Sequence, residues 1–176
     1  MRDWRSKIAV VVTVVIGAGM IGVMAQMPSE LFVATFDAGL DADTAAGDGT
    51  AATANAELRY VSTRVPEQRA AVMDAGSTLT YATEGNVSPI RGAISFGVQP
   101  LGPIDDDQNH VYFALGDKDQ PNSITVWKTQ MYNDLRFRIA SPDGENRDCI
   151  VTDVSSWIPG QWYHIIAAWD TEKGWM

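Results

Sequence analysis

Residues 134–140 read DLRFRIA. Leu135, Phe137 and Ile139 take alternate positions, with Arg136 and Arg138 between them. An extended chain points successive side chains to opposite faces, so this segment reads as a strand of a sheet with one dry and one wet face. The same period spreads outward. GAISFGVQP (92–100) sets Ile94, Phe96 and Val98 against Ala93, Ser95 and Gly97, and HVYFAL (110–115), SITVWK (123–128) and DCIVTDV (148–154) have strand length and composition. LFVATFD (31–37), ELRYVST (57–63), RAAVMD (69–74) and STLTYAT (77–83) are weaker pieces of the same kind. Between them lie GDKDQPN, QMYN and SPDGEN, the last containing Asp143-Gly144, the strongest short hairpin signal in the chain. No stretch of helical length repeats with period 3.6. DADTAAGDGTAATANAE (41–57) has a helix-like composition, but its glycines and threonines indicate a loop. Short strands separated by turns predict an all-β, antiparallel sandwich or barrel.

Residues 157–170, WIPGQWYHIIAAWD, place a turn at Pro159-Gly160 before another strand. One face would carry Trp162, His164, Ile166 and Ala168, the other Tyr163, Ile165, Ala167 and Trp169. Two largely apolar faces predict a central strand covered on both sides, with Trp162 and Trp169 in the core and His164 buried and hydrogen-bonded.

The run W-x-P-G-x-W through Trp169-Asp170 resembles a late core strand of the laminin-G-like, concanavalin-A-like jelly-roll family. LFVATFDAGLDADTAAGDG is similar to that family's first strand and following loop, GNVSPIRGAISFGVQP to its Gly-Thr-Ile-Ser-Phe-Trp-Val-x-Pro strand, and NDLRFRIASPDGEN to its middle hairpin. The resemblance covers most of residues 31–176 and implies a β-sandwich of jelly-roll type. Gly97 stands where the family commonly has tryptophan, and the family pattern continues past Trp-Asp into a further strand. The resemblance therefore implies a domain at 26–176 that is incomplete at its C-terminus, within a larger multidomain chain. An open edge is expected beside 161–169, and residues 26–176 alone are expected to unfold weakly or aggregate.

The formal charge is −9. Arg2, Arg5 and Lys7 against Asp3 give the first 25 residues about +2, which leaves about −11 for the rest. A surface of that sign repels phosphate backbones and anionic lipid, so nucleic acid is not an expected partner, whereas calcium is a natural one. MRDWRSK is a basic head, residues 8–25 are apolar, and Val23-Met24-Ala25 offers small residues where a signal peptidase reads. Residues 1–25 are read as a secretory signal cleaved after Ala25. The rival is an uncleaved membrane anchor, since the run is near the lower limit of ~17–25 residues for a span. Either way the body works outside the cytoplasm, secreted or at the cell surface. Cys149 is the lone cysteine, read as a buried small apolar residue, with a reactive thiol or one whose partner lies beyond Met176 as the alternatives.

Glycoside hydrolysis is the natural enzymatic competitor, because it needs two carboxyl groups flanking the scissile bond. None of Glu30, Glu57, Glu67, Glu84, Glu145 and Glu172 has an aspartate two positions away in an alternating strand. Asp143 and Glu145 have that spacing, but in a turn. Serine and cysteine nucleophile motifs and zinc-ligand spacings are missing, and His110 and His164 lie far apart. What remains is acidic loops: Asp41, Asp43 and Asp48; Asp105, Asp106 and Asp107; and Asp143, Glu145, Asn146 and Asp148 around the hairpin. Each could hold calcium with backbone carbonyls, or serve as a solvated turn. Trp127, Tyr132 and Trp157, near strand ends, are candidates for stacking on sugar rings or for rim packing.

The expected protein is a non-catalytic extracellular module that recognises carbohydrate or another extracellular protein, with calcium as the one cofactor the acidic loops admit. The alternatives are a glycosidase-related domain whose catalytic carboxylates lie in the missing part, and a structural or adhesion spacer without a ligand. Membrane contact is expected only through an uncleaved N-terminal segment.

Overall fold

The computed structural model describes residues 8–11, 17–18, 29–54, 57–60, 69–74, 76–117, 120–143 and 145–173. The basic head, the cleavage position at Ala25, residues 61–63 of one expected strand and Gly144 of the Asp-Gly hairpin lie outside the described residues. Every regular element described is a strand: β1 (Ile8–Val11), β2 (Gly17–Ala18), β3 (Ser29–Glu30), β4 (Phe32–Val33), β5 (Thr44–Ala45), β6 (Ala52–Ala54), β7 (Glu57–Tyr60), β8 (Arg69–Met73), β9 (Thr78–Thr80), β10 (Arg91–Pro100), β11 (His110–Leu115), β12 (Ser123–Lys128), β13 (Leu135–Ala140), β14 (Asn146–Val151) and β15 (Tyr163–Asp170). All pairings are antiparallel. The architecture is thus all-β with antiparallel sheets, consistent with a β-sandwich. Among the described residues no helix is long and apolar enough to cross a membrane. The chain divides into two compact units, 1–101 with 162–176, and 102–161.

The first unit holds a five-stranded sheet in the order β15-β10-β1-β8-β7, with β2–β3, β4–β5 and β6–β9 as short pairs. β1, from the segment read as an export signal, pairs on one side with β10 (Ile8↔Pro100 to Val11↔Gly97) and on the other with β8 (Ile8↔Met73 to Val10↔Ala71). β10 and β15 pair over eight residues each, from Arg91↔Asp170 to Val98↔Tyr163. Their alternate residues Ile94, Phe96, Val98, Ile165, Ala167 and Trp169 are buried, with Phe32, Phe36 and Val72 also in the core.

The expectation that both faces of β15 are covered is corrected. His164 and Ile166 are exposed, and β15 has only β10 beside it among the described residues. Period two defines two faces, but what covers each is settled by partners distant in sequence. Trp169 is fully buried as expected, while Trp162 is half-buried. The Trp169 indole lies against its cross-strand partner Gly92, where an added Cβ would come within 2.6 Å of a ring atom, and its Nε1 donates to the Ser88 carbonyl at 3.2 Å. At the strand end the buried Asp170 carboxylate accepts from Arg91 Nε at 2.9 Å and from the Lys173 amide at 3.0 Å.

The second unit is a meander, β11-β12-β13-β14, whose central β12 is buried along its whole length. Ile124, Val126, Leu135 and Phe137 share one face and are buried, as are Ile104 and Val154. A register shift between Val111 and Phe113 marks a bulge in β11. Cys149 is exposed, not buried as one reading had it, because it sits on the edge strand β14.

Candidate functional site

The residues singled out as ring-stacking candidates, with the 105–107 aspartates, gather at one end of the second unit: the start of β11, the end of β12, the start of β13 and the end of β14. The connection between β12 and β13 is tight. Thr129 N donates to the Asp134 carbonyl at 2.9 Å, the Thr129 hydroxyl donates to the Asp134 carboxylate, and Asn133 has a positive φ of 49°. Neighbouring loops hold it from both sides. Gln130 N donates to Asn109 Oδ1 at 3.0 Å, and Val154 N donates to the Asn133 carbonyl at 2.7 Å. Met131 and Tyr132 project from this anchored turn, 78% and 65% exposed.

Asp134, buried at the turn's end, fixes Arg136 through Nε (3.1 and 3.2 Å) and Nη2 (2.9 Å). Burial pushes the Asp134 carboxyl up, but the hydrogen bonds from Arg136 and Thr129 outweigh it and hold the group below the ordinary carboxylate value. The Arg136 guanidinium then lies 5.6 Å from the Tyr132 ring centroid, within cation–π range. Two residues on, Arg138 is gripped by Asp148 through Nε (2.7 Å) and Nη2 (2.8 Å), and its guanidinium covers the Trp127 ring at 5.0 Å. Register places Val111, Trp127, Arg136 and Ile150 in one row across all four strands. Trp127 is only 4% exposed, so its ring serves packing and lies beneath Arg138. Trp157 is half-buried 6.4 Å from the Tyr112 ring, leaving Tyr132 as the openly presented aromatic of the three candidates.

The acidic loop beside this end is organised by side chains. Asp106 accepts from His110 Nε2 at 2.9 and 3.0 Å, and from Lys128 Nζ at 3.4 Å. Lys128 Nζ also donates to the Gln108 carbonyl at 3.1 Å, and its side chain is fully buried. The ammonium thus bridges the loop's carboxylate and its Gln108 carbonyl. Asp105 and Asp107 are exposed. Burial and the Asp106 charge push the nearby Tyr112 phenol well above its ordinary value.

The other acidic loop belongs to the first unit, and its carboxylates staple backbone. Asp41 accepts from Ala51 N at 2.8 Å, Asp43 from Thr35 N at 2.7 Å, and Asp48 from Thr50 N at 2.8 Å. Buried Asn86 closes that loop, accepting from Gly47 N and donating to the Asp48 and Ala82 carbonyls. Asp143 accepts from the Ser141 hydroxyl, and Asp148 is held by Arg138. Among the described residues no group of three or more His, Cys, Asp or Glu is placed to hold a metal.

Sequence reasoning missed the Asp106–His110–Lys128 cluster and one further pair. His164 Nε2 lies 2.7 Å from Ser95 Oγ on the open face of the first unit's sheet. Ser95 and His164 form a nucleophile–base contact in distance, but among the described residues no carboxylate bonds the imidazole to orient it. Parity held one clue, because Lys128 shares it with Ile124 and Val126 and so falls on the core face. Comparisons with protein-family models, with curated proteins and with solved structures found no match.

Proposed function

We propose that the chain is a non-catalytic recognition module, secreted or displayed at the cell surface, built as a jelly-roll sandwich of the laminin-G-like, concanavalin-A-like type. It binds carbohydrate or another extracellular protein through the Met131–Arg136 end of the four-stranded sheet. The supporting observation is the exposed Tyr132 ring, held in place by Arg136 and Asp134 on a turn tied to the loops on either side. A rigid aromatic presented beside a positioned guanidinium loses little entropy on binding. Calcium assistance remains part of the proposal for Asp41, Asp43, Asp48, Asp105, Asp106 and Asp107. Of these, Asp41, Asp43, Asp48 and Asp106 already accept internal hydrogen bonds, so a metal would have to compete with them.

The test is binding of the chain to a glycan panel and to a panel of extracellular proteins, with Tyr132→Ala beside the wild type. A signal that drops at least tenfold in the variant is expected. No signal on folded material would leave the ligand-free spacer as the better description.

A further inference from the structure

The turn at Met131–Tyr132 belongs to a larger patch, and its composition discriminates between the two ligand classes. Cross-strand partners share a sheet face, so Val111, Trp127, Arg136 and Ile150 line up on one side. Val111 is 49% and Ile150 45% exposed, and Met131 and Tyr132 stand at the same end of the sheet. Two aliphatic side chains at the ends of the row, with a methionine and a tyrosine on the turn beside it, are open to water and offer apolar surface to a partner on both sides of Arg136. The mixture of tyrosine, methionine and arginine is the composition enriched at protein–protein interfaces. A sugar site would instead surround its stacking ring with free hydrogen-bonding groups. Here the charged neighbours are committed, Asp134 to Arg136 and Asp148 to Arg138, and the unpartnered Asn133 Oδ1 is buried, out of reach of a ligand on the ring.

Charge narrows the partner further. Arg136 in the row and Arg138 two residues further along β13 are matched by Asp134 and Asp148, the carboxylates that grip them, so the patch itself is close to neutral. Around it stand the exposed aspartates Asp105 and Asp107, at the entry to β11, and Asp153, just past β14. The whole chain carries −9. A second copy would bring the same acidic rim against this one, and an acidic glycan would be repelled.

Resting on the recognition reading above, we infer that the patch Val111–Met131–Tyr132–Ile150 docks a protein whose contact surface is apolar at its centre and lined with lysine or arginine at its edge.

The experiment pans a phage-displayed random peptide library on the immobilised full chain and prints the same chain against neutral and acidic oligosaccharides. Enriched peptides are expected to combine aliphatic or aromatic residues with Lys or Arg. Their affinity should fall about tenfold or more in Ile150→Asp, and in Tyr132→Ser at the turn tip should the strand variant fail to fold. Replacing Asp105, Asp107 and Asp153 by asparagine should slow association and flatten its salt dependence. Peptides retained undiminished by folded variants would overturn the assignment of the patch and leave a recognition role elsewhere on the chain. Oligosaccharides bound at Tyr132 with no enriched peptide would overturn the protein partner but keep the recognition module. No binding of either kind would overturn both.

Discussion

Replacing Lys128 by methionine tests whether an internal ammonium organises the 105–109 loop. The side chain is fully buried, and its Nζ lies 3.4 Å from the Asp106 carboxylate and 3.1 Å from the Gln108 carbonyl. At 3.4 Å and an effective dielectric constant near 20, the Coulomb attraction is about 5 kcal/mol. Desolvating the ammonium offsets several kcal/mol of that, and methionine preserves most of the volume. Asp106 keeps His110 and is partly exposed, so the abandoned carboxylate is not stranded without a partner. A net destabilisation of about 1–3 kcal/mol is therefore expected for Lys128→Met. Urea unfolding of the full chain reads it as a lowered midpoint at unchanged slope. Asp106→Asn and the double variant complete a cycle whose coupling energy should be about 1–2 kcal/mol. A coupling near zero, or a Lys128→Met protein as stable as the wild type, would refute the claim that the pair holds the loop.

Three further expectations follow from the same geometry. Gly92→Ala should destabilise the first unit by about 1–3 kcal/mol, because the new methyl meets the Trp169 ring, and the loss should appear as a lower thermal midpoint with altered tryptophan fluorescence. Asp134 and Asp170 both titrate below the ordinary carboxylate value: burial raises each, but hydrogen bonds from Arg136 and Thr129, and from the Lys173 amide with Arg91's charge, prevail. Their contribution is fully present above the unfolded value of about 4 and is lost as pH falls through their folded values, so the urea midpoint should drop at the acid end. An Asp134→Asn protein that declines as steeply as the wild type would contradict this. Calcium in place of chelator should raise the wild-type melting midpoint by about 5 °C as the aspartates exchange their internal partners for the ion, and a midpoint unchanged within a degree or so would remove calcium from the proposal.

Strand positions were readable because alternation is local. DLRFRIA predicted a wet face with Arg136 and Arg138, and those two arginines are the scaffold of the candidate site. The rings they cover could not be read in the same way, since Arg138 reaches Trp127 on the neighbouring strand and Arg136 reaches back over the turn to Tyr132. Trp127 looked like a strand-end residue and is a buried one, because a strand's place within its sheet is a matter of pairing order. His164 failed for the converse reason: its apolar neighbours suggested cover, yet the strand stands at a sheet edge and that face is open. The acidic loops announced negative charge but not its counterpart. For Asp106 the partners lie 4 and 22 residues away, and an ammonium on a core-facing position is recognisable only once the strand's parity is known.

The place of β1 gives the N-terminal segment a second meaning. Ile8–Val11 is the strand that joins Arg91–Pro100 to Arg69–Met73, so cutting the chain after Ala25 would open a seam through the sheet. Backbone amides and carbonyls along that seam would need new partners or water. Were residues 1–25 removed as a leader, maturation would be coupled to architecture: the protein before processing and the protein after it would be two different objects, with different edges to offer.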